Sequence, residues 1–294
     1  MSAFFHSSGY AAPALLGRVR CWAKDELEAA GVNSPKVDAE ELICALYGAD
    51  SLFQVPMQMS AEELSEYEQM VNRRIGREPL QHITGRMFFR GLRLDAEPGI
   101  FIVRPETEWL TETATTDLKK AGIAPKYIYD LCSGSGAIGL SLARDFPNTQ
   151  VIGFDIDHHA VSFALRQAER LKIPNYDCRL ADVTDPTDRH LTDLAAAQLV
   201  ISNPPYVPPG TAVSPEVAAD PTVALWGGDG GGTEIPLAVL QVASGLLAAG
   251  GYLYMEHDET QAEAVSAAAA RLGFPAFETL SDLNAKPRAL RAIN

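Results

Sequence analysis

Asn203-Pro204-Pro205-Tyr206 brings together four residues suited to one kind of chemistry. The two prolines have no N–H to donate, and they stiffen the backbone. Stiff carbonyls beside an amide side chain and an aromatic ring make a small planar pocket for an –NH2 group. Such a pocket holds a poor nitrogen nucleophile in front of a reactive methyl group. The tetrapeptide follows Gln198-Leu-Val-Ile-Ser202 and leads into Val207-Pro208-Pro209. The preceding run is short, apolar and β-branched and ends at prolines, which is the pattern of a buried strand. The pocket is therefore expected just past the carboxyl end of a strand, where open α/β sheets place their ligand crevices.

A methyl donor needs its own site, and a second motif supplies candidates. Asp130-Leu-Cys-Ser-Gly134-Ser-Gly136-Ala-Ile-Gly139 sets G-x-G-x-x-G between a strand and a helix. Glycines there let the backbone turn sharply and approach a ligand closely. Nicotinamide enzymes carry the same signal. Asp155 lies nineteen residues beyond Gly136, at the end of the next strand, where a carboxylate accepts both ribose hydroxyls. Asp130 stands ahead of the glycines, placed for the cationic or ammonium end of S-adenosylmethionine. Asp182, in Leu180-Ala-Asp-Val183, follows a third strand and is placed for an adenine amino group. Taken singly, each aspartate has the alternative reading of a helix cap or a turn residue, which weighs more on Asp182 than on Asp155. Together with Asn203 to Tyr206, they favour S-adenosylmethionine, leaving as S-adenosylhomocysteine. Its expected contacts are Asp130, Cys132, Ser133, Gly134, Ser135, Gly136, Asp155, Asp182, Val183 and Asn203.

The elements that position these residues are legible in outline. Residues from about 11 to 75 look helical: apolar and charged positions alternate at helical spacing in Ala14 to Ala23 and in Asp38 to Tyr47. Pro35 and Gly48 bracket the second stretch. Ser60 with Glu63 forms a capping box for a helix that runs towards Arg74 and ends at Gly76. Met87 to Val103 holds short strand-like runs broken by Gly and Pro, a β-hairpin between two domains. Pro105 and the acids Glu106 and Glu108 open a further helix. From Tyr127 strands and helices alternate to Glu256, which implies a parallel, doubly wound sheet. The expected division is an N-terminal helical-bundle domain over residues 1–84 that recognises substrate, a hairpin linker over 85–108, and a Rossmann-like α/β domain over 109–294. Trp226-Gly-Gly-Asp-Gly-Gly-Gly232 is the one glycine-rich loop outside the nucleotide motif, either a mobile lid or a plain flexible connection.

Composition narrows the partners. The 294 residues suit two domains or one large one, and 47% apolar content is ordinary for a globular protein. A formal charge of −14 and a pI near 4.8 oppose strong nonspecific binding to nucleic acid, which rests on neutralised phosphates. A local basic run, Arg73, Arg74, Arg77, Arg86, Arg90, Arg93 and Arg104, is either a patch or a solvated surface. Cys21, Cys44, Cys132 and Cys178 show neither C-x-x-C pairing nor a zinc-type His cluster. Free thiols in a reducing cytosol, and no metal, are expected. The amino terminus lacks a basic region followed by an apolar core, and no stretch approaches the roughly 20 apolar residues that span a bilayer.

These residues resemble the HemK/PrmC family, the protein-(glutamine-N5) methyltransferases that act on peptide chain release factors. The resemblance covers nearly the whole chain. It runs through Ser34-Pro-Lys-Val-Asp38-Ala-Glu, Arg77-Glu-Pro-Leu-Gln-His-Ile-Thr-Gly85 and Arg104-Pro-Glu-Thr-Glu108 to the glycine motif. It continues through Asn203-Pro-Pro-Tyr206, Ala224-Leu-Trp-Gly-Gly228, and Glu256 with Gln261. It implies methylation of the glutamine in the Gly-Gly-Gln tip of class 1 release factors by a cytoplasmic monomer with no stable nucleic-acid partner. Asn203, Pro204 and Tyr206 are then the catalytic set. Asn203 Oδ1 and the Pro204 carbonyl accept the two N–H bonds of the target amide, and Tyr206 packs on its plane. Pro205, Arg104 and Glu106 complete the implied substrate contacts.

The chain departs from the family pattern at three places. Cys132 stands where Gly is usual, which the loop tolerates if Gly134 and Gly136 carry most of the unusual backbone. His257-Asp258 replaces Ile-Gly, and Phe101-Ile-Val103 replaces Leu-Ile-Pro. Other readings use the same pocket for a nucleic-acid base amine or a ribosomal-protein glutamine. A noncatalytic S-adenosylmethionine-binding adaptor is opposed by the intact tetrapeptide. A nicotinamide dehydrogenase is opposed by the lack of a proton donor beside the glycines.

Overall fold

The structure is a computed structural model that describes residues 14–282 and 284–294. The amino-terminal segment, where no leader was expected, lies outside the described residues up to residue 13. No helix among the described residues is long and apolar enough to cross a membrane. The chain forms two compact units. One contains the chain up to Arg86 with residues 96–98 and 214–219; the other contains residues 87–95, 99–213 and 220–294.

The first unit is built on helices α1 (Leu16–Ala29), α2 (Pro35–Leu46) and α3 (Ala61–Ile75). Pro35 sits in the first turn of α2, where its missing N–H costs nothing. The expected capping box on α3 is present: Glu63 N–H donates to Ser60 Oγ at 3.2 Å, and Ser60 N–H donates to Glu63 Oε2 at 2.7 Å. The helices close on Val19, Leu27, Leu42, Ile43, Tyr67 and Val71, all withdrawn from solvent. One short helix in this unit, Pro215–Ala218, comes from far along the chain. Its Glu216 accepts from Arg77 at 2.6 and 2.9 Å and from Arg74 at 2.9 Å, and Arg74 also donates to the buried Asp38 at 2.7 Å.

The second unit begins with a hairpin, β1 (Arg86–Phe89) and β2 (Leu92–Asp95). From Met87 onward this hairpin packs with the larger unit. Helix α4 (Pro105–Lys120) follows. The alternating stretch then gives β3 (Tyr127–Leu131), α5 (Ala137–Asp145), β4 (Gln150–Asp155), α6 (His158–Leu171) and β5 (Tyr176–Leu180). Next come β6 (Ala197–Ser202), α7 (Glu234–Leu246), β7 (Leu247–Glu256) and α8 (Ala262–Arg271). The chain closes with β8 (Ala276–Ser281) and β9 (Pro287–Ile293).

Strand order in the seven-stranded sheet is β8-β9-β7-β6-β3-β4-β5. Five strands, β7 to β5 in that order, are parallel. The last two, β9 and β8, run antiparallel at one edge, and the strand–helix alternation did not announce them. The register brings the carboxyl ends of the parallel strands to one edge. Leu131 lies opposite Phe154 and Ser202, Asp155 opposite Leu180, and Ser202 opposite Met255. Strand order reverses between β3 and β6, so a crevice opens there. The glycine motif and the tetrapeptide leave the sheet on its two sides.

Arginines of the expected basic run pair with carboxylates. The pairs are Arg73–Glu78, Arg74–Asp38, Arg77–Glu216, Arg86–Glu41, Arg90–Glu112 and Arg104–Asp220. The run is a set of structural ion pairs.

Candidate active site

The crevice holds a cavity of about 300 Å³, at the lower end of the range for small-ligand sites. On one wall stand Cys132, Ser133, Gly134 and Ser135, from the loop after β3. Asp155, Asp182 and Val183 line it from the ends of β4 and β5. Asn203 and Pro205 line it from the end of β6. The register explains the convergence, because each of these residues sits at or just after the last paired position of its strand. The rest of the lining is mostly apolar. Phe101, Ile156, Val223, Trp226 and Ile235 contribute, and of these Ile156 and Val223 are about half exposed. Of these, Ile156, Val223 and Ile235 went unmarked in the sequence, since single apolar positions carry no pattern of their own.

The three glycines of the motif do different work. Gly134, at φ +53°, faces the cavity, and a Cβ there meets only Phe101 at 3.9 Å. Gly136 is not in the lining. It is needed for packing, because a Cβ on it lies 2.9 Å from both Ala164 and the Tyr176 hydroxyl. Gly139 is closer still, at 2.5 Å from the Tyr176 ring. Cys132 also adopts a left-handed conformation, φ +57°. The loop thus uses three such positions, 132, 134 and 136, and the residue that is not glycine bears the strain. Burial pushes the Cys132 thiol well above its ordinary range, with Asp155 and Asp130 adding to it, so it stays protonated. A thiol in that state is a packing group and a poor nucleophile.

Asp130 is placed beneath the loop. It is fully buried and absent from the lining, and its Oδ2 accepts from Ser133 Oγ at 2.7 Å and Gly139 N–H at 3.0 Å. Oδ1 has no hydrogen-bond partner. Burial raises this carboxyl to about 7, against the two hydrogen bonds. Asp155 accepts Gly134 N–H at 2.7 Å and Asp157 N–H at 2.9 Å. Burial raises it too, and the backbone N–H groups oppose the rise. Each Asp155 oxygen keeps a lone pair for a further donor such as a ribose hydroxyl. Asp182 accepts from Thr184 N–H at 2.8 Å and Thr184 Oγ1 at 2.6 Å, so it is a turn residue and a lining residue at once.

Asn203 Nδ2 donates to Thr107 Oγ1 at 3.1 Å, and both residues line the cavity. Thr107 belongs to the Arg104-Pro-Glu-Thr-Glu108 stretch at the start of α4, and it is the site residue that sequence reasoning missed. Arg104 itself turns to Asp220 and lies over the Phe101 ring, 5.3 Å from its centroid. Asp220 also accepts Ile102 N–H at 3.2 Å. Arg104 therefore builds the cavity wall and is not in the lining. Glu106 is half-buried and outside the lining, close enough to Glu256 and Tyr206 to raise both.

Pro204 is buried and Tyr206 half-buried, and neither is in the lining. The Tyr206 hydroxyl donates to the buried Glu256 at 3.5 Å. Its carbonyl accepts Gln261 Nε2 at 2.8 Å, and the same nitrogen donates to Gly231 O at 3.0 Å. The glycine-rich loop is thereby held against the tetrapeptide. A Cβ on Gly227 falls 2.1 Å from Gly232 O and 2.8 Å from Tyr206 Cα, and one on Gly232 falls 2.6 Å from Tyr206 O. Those glycines allow close packing, so this stretch lies against the tetrapeptide. His257 is fully buried, with Nδ1 bonded to Asp258 O at 2.8 Å, and burial lowers it below its ordinary range. It is a neutral core imidazole.

A cavity with a carboxylate at the end of β4, an apolar slot beside it and a free amide oxygen at its wall suits a nucleoside with a short charged tail. Residues 19–85 match the PrmC N-terminal domain, and residues 126–283 match a methyltransferase domain. A release factor glutamine methyltransferase of Bifidobacterium longum (strain NCC 2705) is 36% identical over 286 residues, 92% of this chain and 97% of that protein. A 4-amino-L-phenylalanine/4-methylamino-L-phenylalanine methyltransferase of Streptomyces pristinaespiralis is 37% identical over 202 residues, 67% of each. A solved methyltransferase from Pyrococcus furiosus shares the fold, with a TM-score of 0.50 at 17% identity, over 69% of this chain and 89% of that one.

Proposed function

The chain belongs to the family of release factor glutamine methyltransferases, and from that membership we propose that it methylates the side-chain amide nitrogen (N5) of the glutamine in the Gly-Gly-Gln motif of class 1 peptide chain release factors. The methyl donor is S-adenosylmethionine. The observation that supports this most directly is the state of Asn203. Its Nδ2 is committed to Thr107, and its Oδ1 is left without a protein donor among the described residues, at the wall of the same cavity that Asp155 and Asp182 line.

The residues present fit the donor. Asp155 would hold the ribose hydroxyls with its free lone pairs, Asp182 and Val183 would hold the adenine, and Ser133 to Ser135 would hold the charged tail. The cavity's apolar walls suit the purine and the thioether. When bound there, the sulfonium supplies an electrophilic methyl group. An amide nitrogen is a feeble nucleophile because its lone pair is delocalised, so what this chain supplies is alignment, which is worth several kcal/mol. Asn203 Oδ1 and the Pro204 carbonyl accept the two N–H bonds of the target amide. They hold the nitrogen in line and push electron density onto it as positive charge develops. Burial keeps the Tyr206 hydroxyl protonated, so it does not act as a base. The N–H proton becomes acidic only as the methyl arrives, and it is lost to solvent water, so no strong protein base is needed.

The test is transfer of label from S-adenosylmethionine to purified release factor, with the Gly-Gly-Gln glutamine intact or replaced. Transfer is expected only to the intact motif. Asn203→Ala should lower turnover by about 10²–10³-fold, the usual cost of one lost transition-state hydrogen bond, with donor affinity within a few fold of the parent. Transfer that survives glutamine replacement overturns the substrate. Transfer to a free aromatic amine instead would place the chain beside its Streptomyces relative.

A further inference from the structure

Two segments far apart in the chain both contribute to the lining of the donor cavity. Phe101 and Val103 come from the stretch before α4, and Pro221 and Val223 from the stretch after Asp220. Residues 101–104 belong to no helix or strand, so no ladder holds them. A segment of that kind keeps one shape only if its polar groups find partners elsewhere.

Asp220 is that partner, and it uses both oxygens. Oδ1 accepts Ile102 N–H at 3.2 Å, and Oδ2 accepts from Arg104 Nη2. The Asp220 side chain is wholly enclosed, while that of Arg104 is 30% exposed. Arg104 carries the constraint one step further. Its guanidinium lies over the Phe101 ring, 5.3 Å from the centroid, and a cation so placed is attracted to the ring face. Phe101 in turn stands next to the glycine loop, where a Cβ on Gly134 would meet it at 3.9 Å.

We propose that Asp220 is a positioning residue for the methyl donor. It joins the segment before α4 to the segment after residue 220 as one wall. Through Arg104 it also holds the Phe101 ring beside Gly134, in the loop that would hold the donor's charged tail. With the carboxylate in place, the wall is ordered before the donor arrives, and binding carries no cost of ordering it. Loss of the bridge therefore weakens binding chiefly through faster dissociation. The role rests on the reading of this cavity as the S-adenosylmethionine site. A bridge that served stability alone would leave the affinity of the folded protein unchanged.

Two measurements test this. The first is calorimetric titration of the full chain with S-adenosylmethionine and with S-adenosylhomocysteine, without release factor. Asp220→Asn keeps an oxygen for Ile102 N–H but turns an N–H towards Arg104, donor against donor. Arg104→Met removes the cation and keeps an apolar chain over Phe101. Each should weaken both ligands by about tenfold, the size of one charge-assisted hydrogen bond. Dissociation in stopped flow should quicken to match. The double variant should stay within about twofold of the weaker single one, because both act through one bridge. Arg104→Lys keeps the ion pair and should recover most of the affinity. Folded variants that bind within about twofold of the parent overturn the proposal, as do losses that multiply in the double variant.

The second measurement uses the parent alone, so it does not depend on a variant that folds. In amide hydrogen exchange, Ile102 N–H should exchange well below the rate of an unstructured chain, and more slowly still with S-adenosylhomocysteine present. Exchange of Ile102 at the unstructured rate overturns the proposal. Weakened ligand binding in the variants, with no transfer to release factor by the parent, counts against the proposed substrate and leaves the role of Asp220 standing. A parent that binds neither ligand counts against the donor itself, and the role of Asp220 falls with it.

Discussion

Cys132 shows how much a single backbone angle governs in this loop. At φ +57° a side chain with a Cβ is strained by about 1 kcal/mol or more, and a β-branched one by more still. The thiol partly offsets this by packing against the core of the larger unit. Cys132→Gly is accordingly expected to stay within about 1 kcal/mol of the parent in urea unfolding, and to keep methyl transfer, because the protonated thiol does no chemistry. Cys132→Val should lose about 2 kcal/mol or more. A Gly variant without activity would return the thiol to the mechanism. The residue types at this site were legible: Asp155, Asp182 and Asn203 all reach the cavity. Asp130 did not behave as its position implied, because the first aspartate of the motif is enclosed by Ser133 and Gly139 beneath the loop. Sequence adjacency to a glycine loop does not say on which side of the loop a side chain lies.

At the scale of elements, the excursion after the tetrapeptide is the least ordinary feature. It leaves at Val207 and returns at Trp226, where the two strands of chain pair: Val207 N–H donates to Leu225 O at 3.0 Å, and Gly227 N–H to Val207 O at 3.1 Å. Its middle, residues 214–219, belongs to the helical unit through Glu216. Arg77 first, and Arg74 with it, hold the Glu216 carboxyl at about 2. For a carboxyl so depressed, the stabilisation is present above its ordinary range and is lost as pH falls towards 2. Glu216→Gln should therefore destabilise the protein at pH 7, because Arg77 and Arg74 lose their shared carboxylate. The difference from the parent should shrink at pH 3. Hydrogen exchange at Ala218, whose N–H donates to Ser214 O at 2.9 Å, should rise in the variant. Unchanged protection there would show that the short helix is held by other contacts. Nothing in the local sequence of 214–219 marks it as part of a helical bundle, since its partners lie about 140 residues away.

For the whole molecule, two buried carboxyls set an unusual pH dependence. Asp130 and Glu256 are both raised to about 7, in each case chiefly by burial. A carboxyl raised on folding favours the fold while protonated, and that contribution is lost as pH rises through its folded value. Each therefore costs up to about 3–4 kcal/mol between pH 4 and pH 8 by linkage. Asp130→Asn keeps an oxygen for Ser133 and Gly139 and removes the buried charge. Its stability relative to the parent should improve by about 2 kcal/mol between pH 5 and pH 8. Urea midpoints that track each other across that range would mean that Asp130 is not the titrating group.

The sequence by itself determined the strand–helix alternation, the caps and the residue types that meet at the crevice. Each of those is encoded within a few neighbouring positions, as period, turn chemistry or motif spacing. Ser60 with Glu63 and the glycine motif are examples. Tertiary structure alone decided the antiparallel edge formed by β8 and β9, the burial of Asp130 and the packing of Gly227 and Gly232 on Tyr206. It also decided the pairing of Thr107 with Asn203. These depend on segments brought together by sheet register and strand order: Thr107 and Asn203 are 96 residues apart in the chain and 3.1 Å apart at the site. Local pattern places a residue on an element. Which of its atoms faces a ligand is settled by what packs behind it.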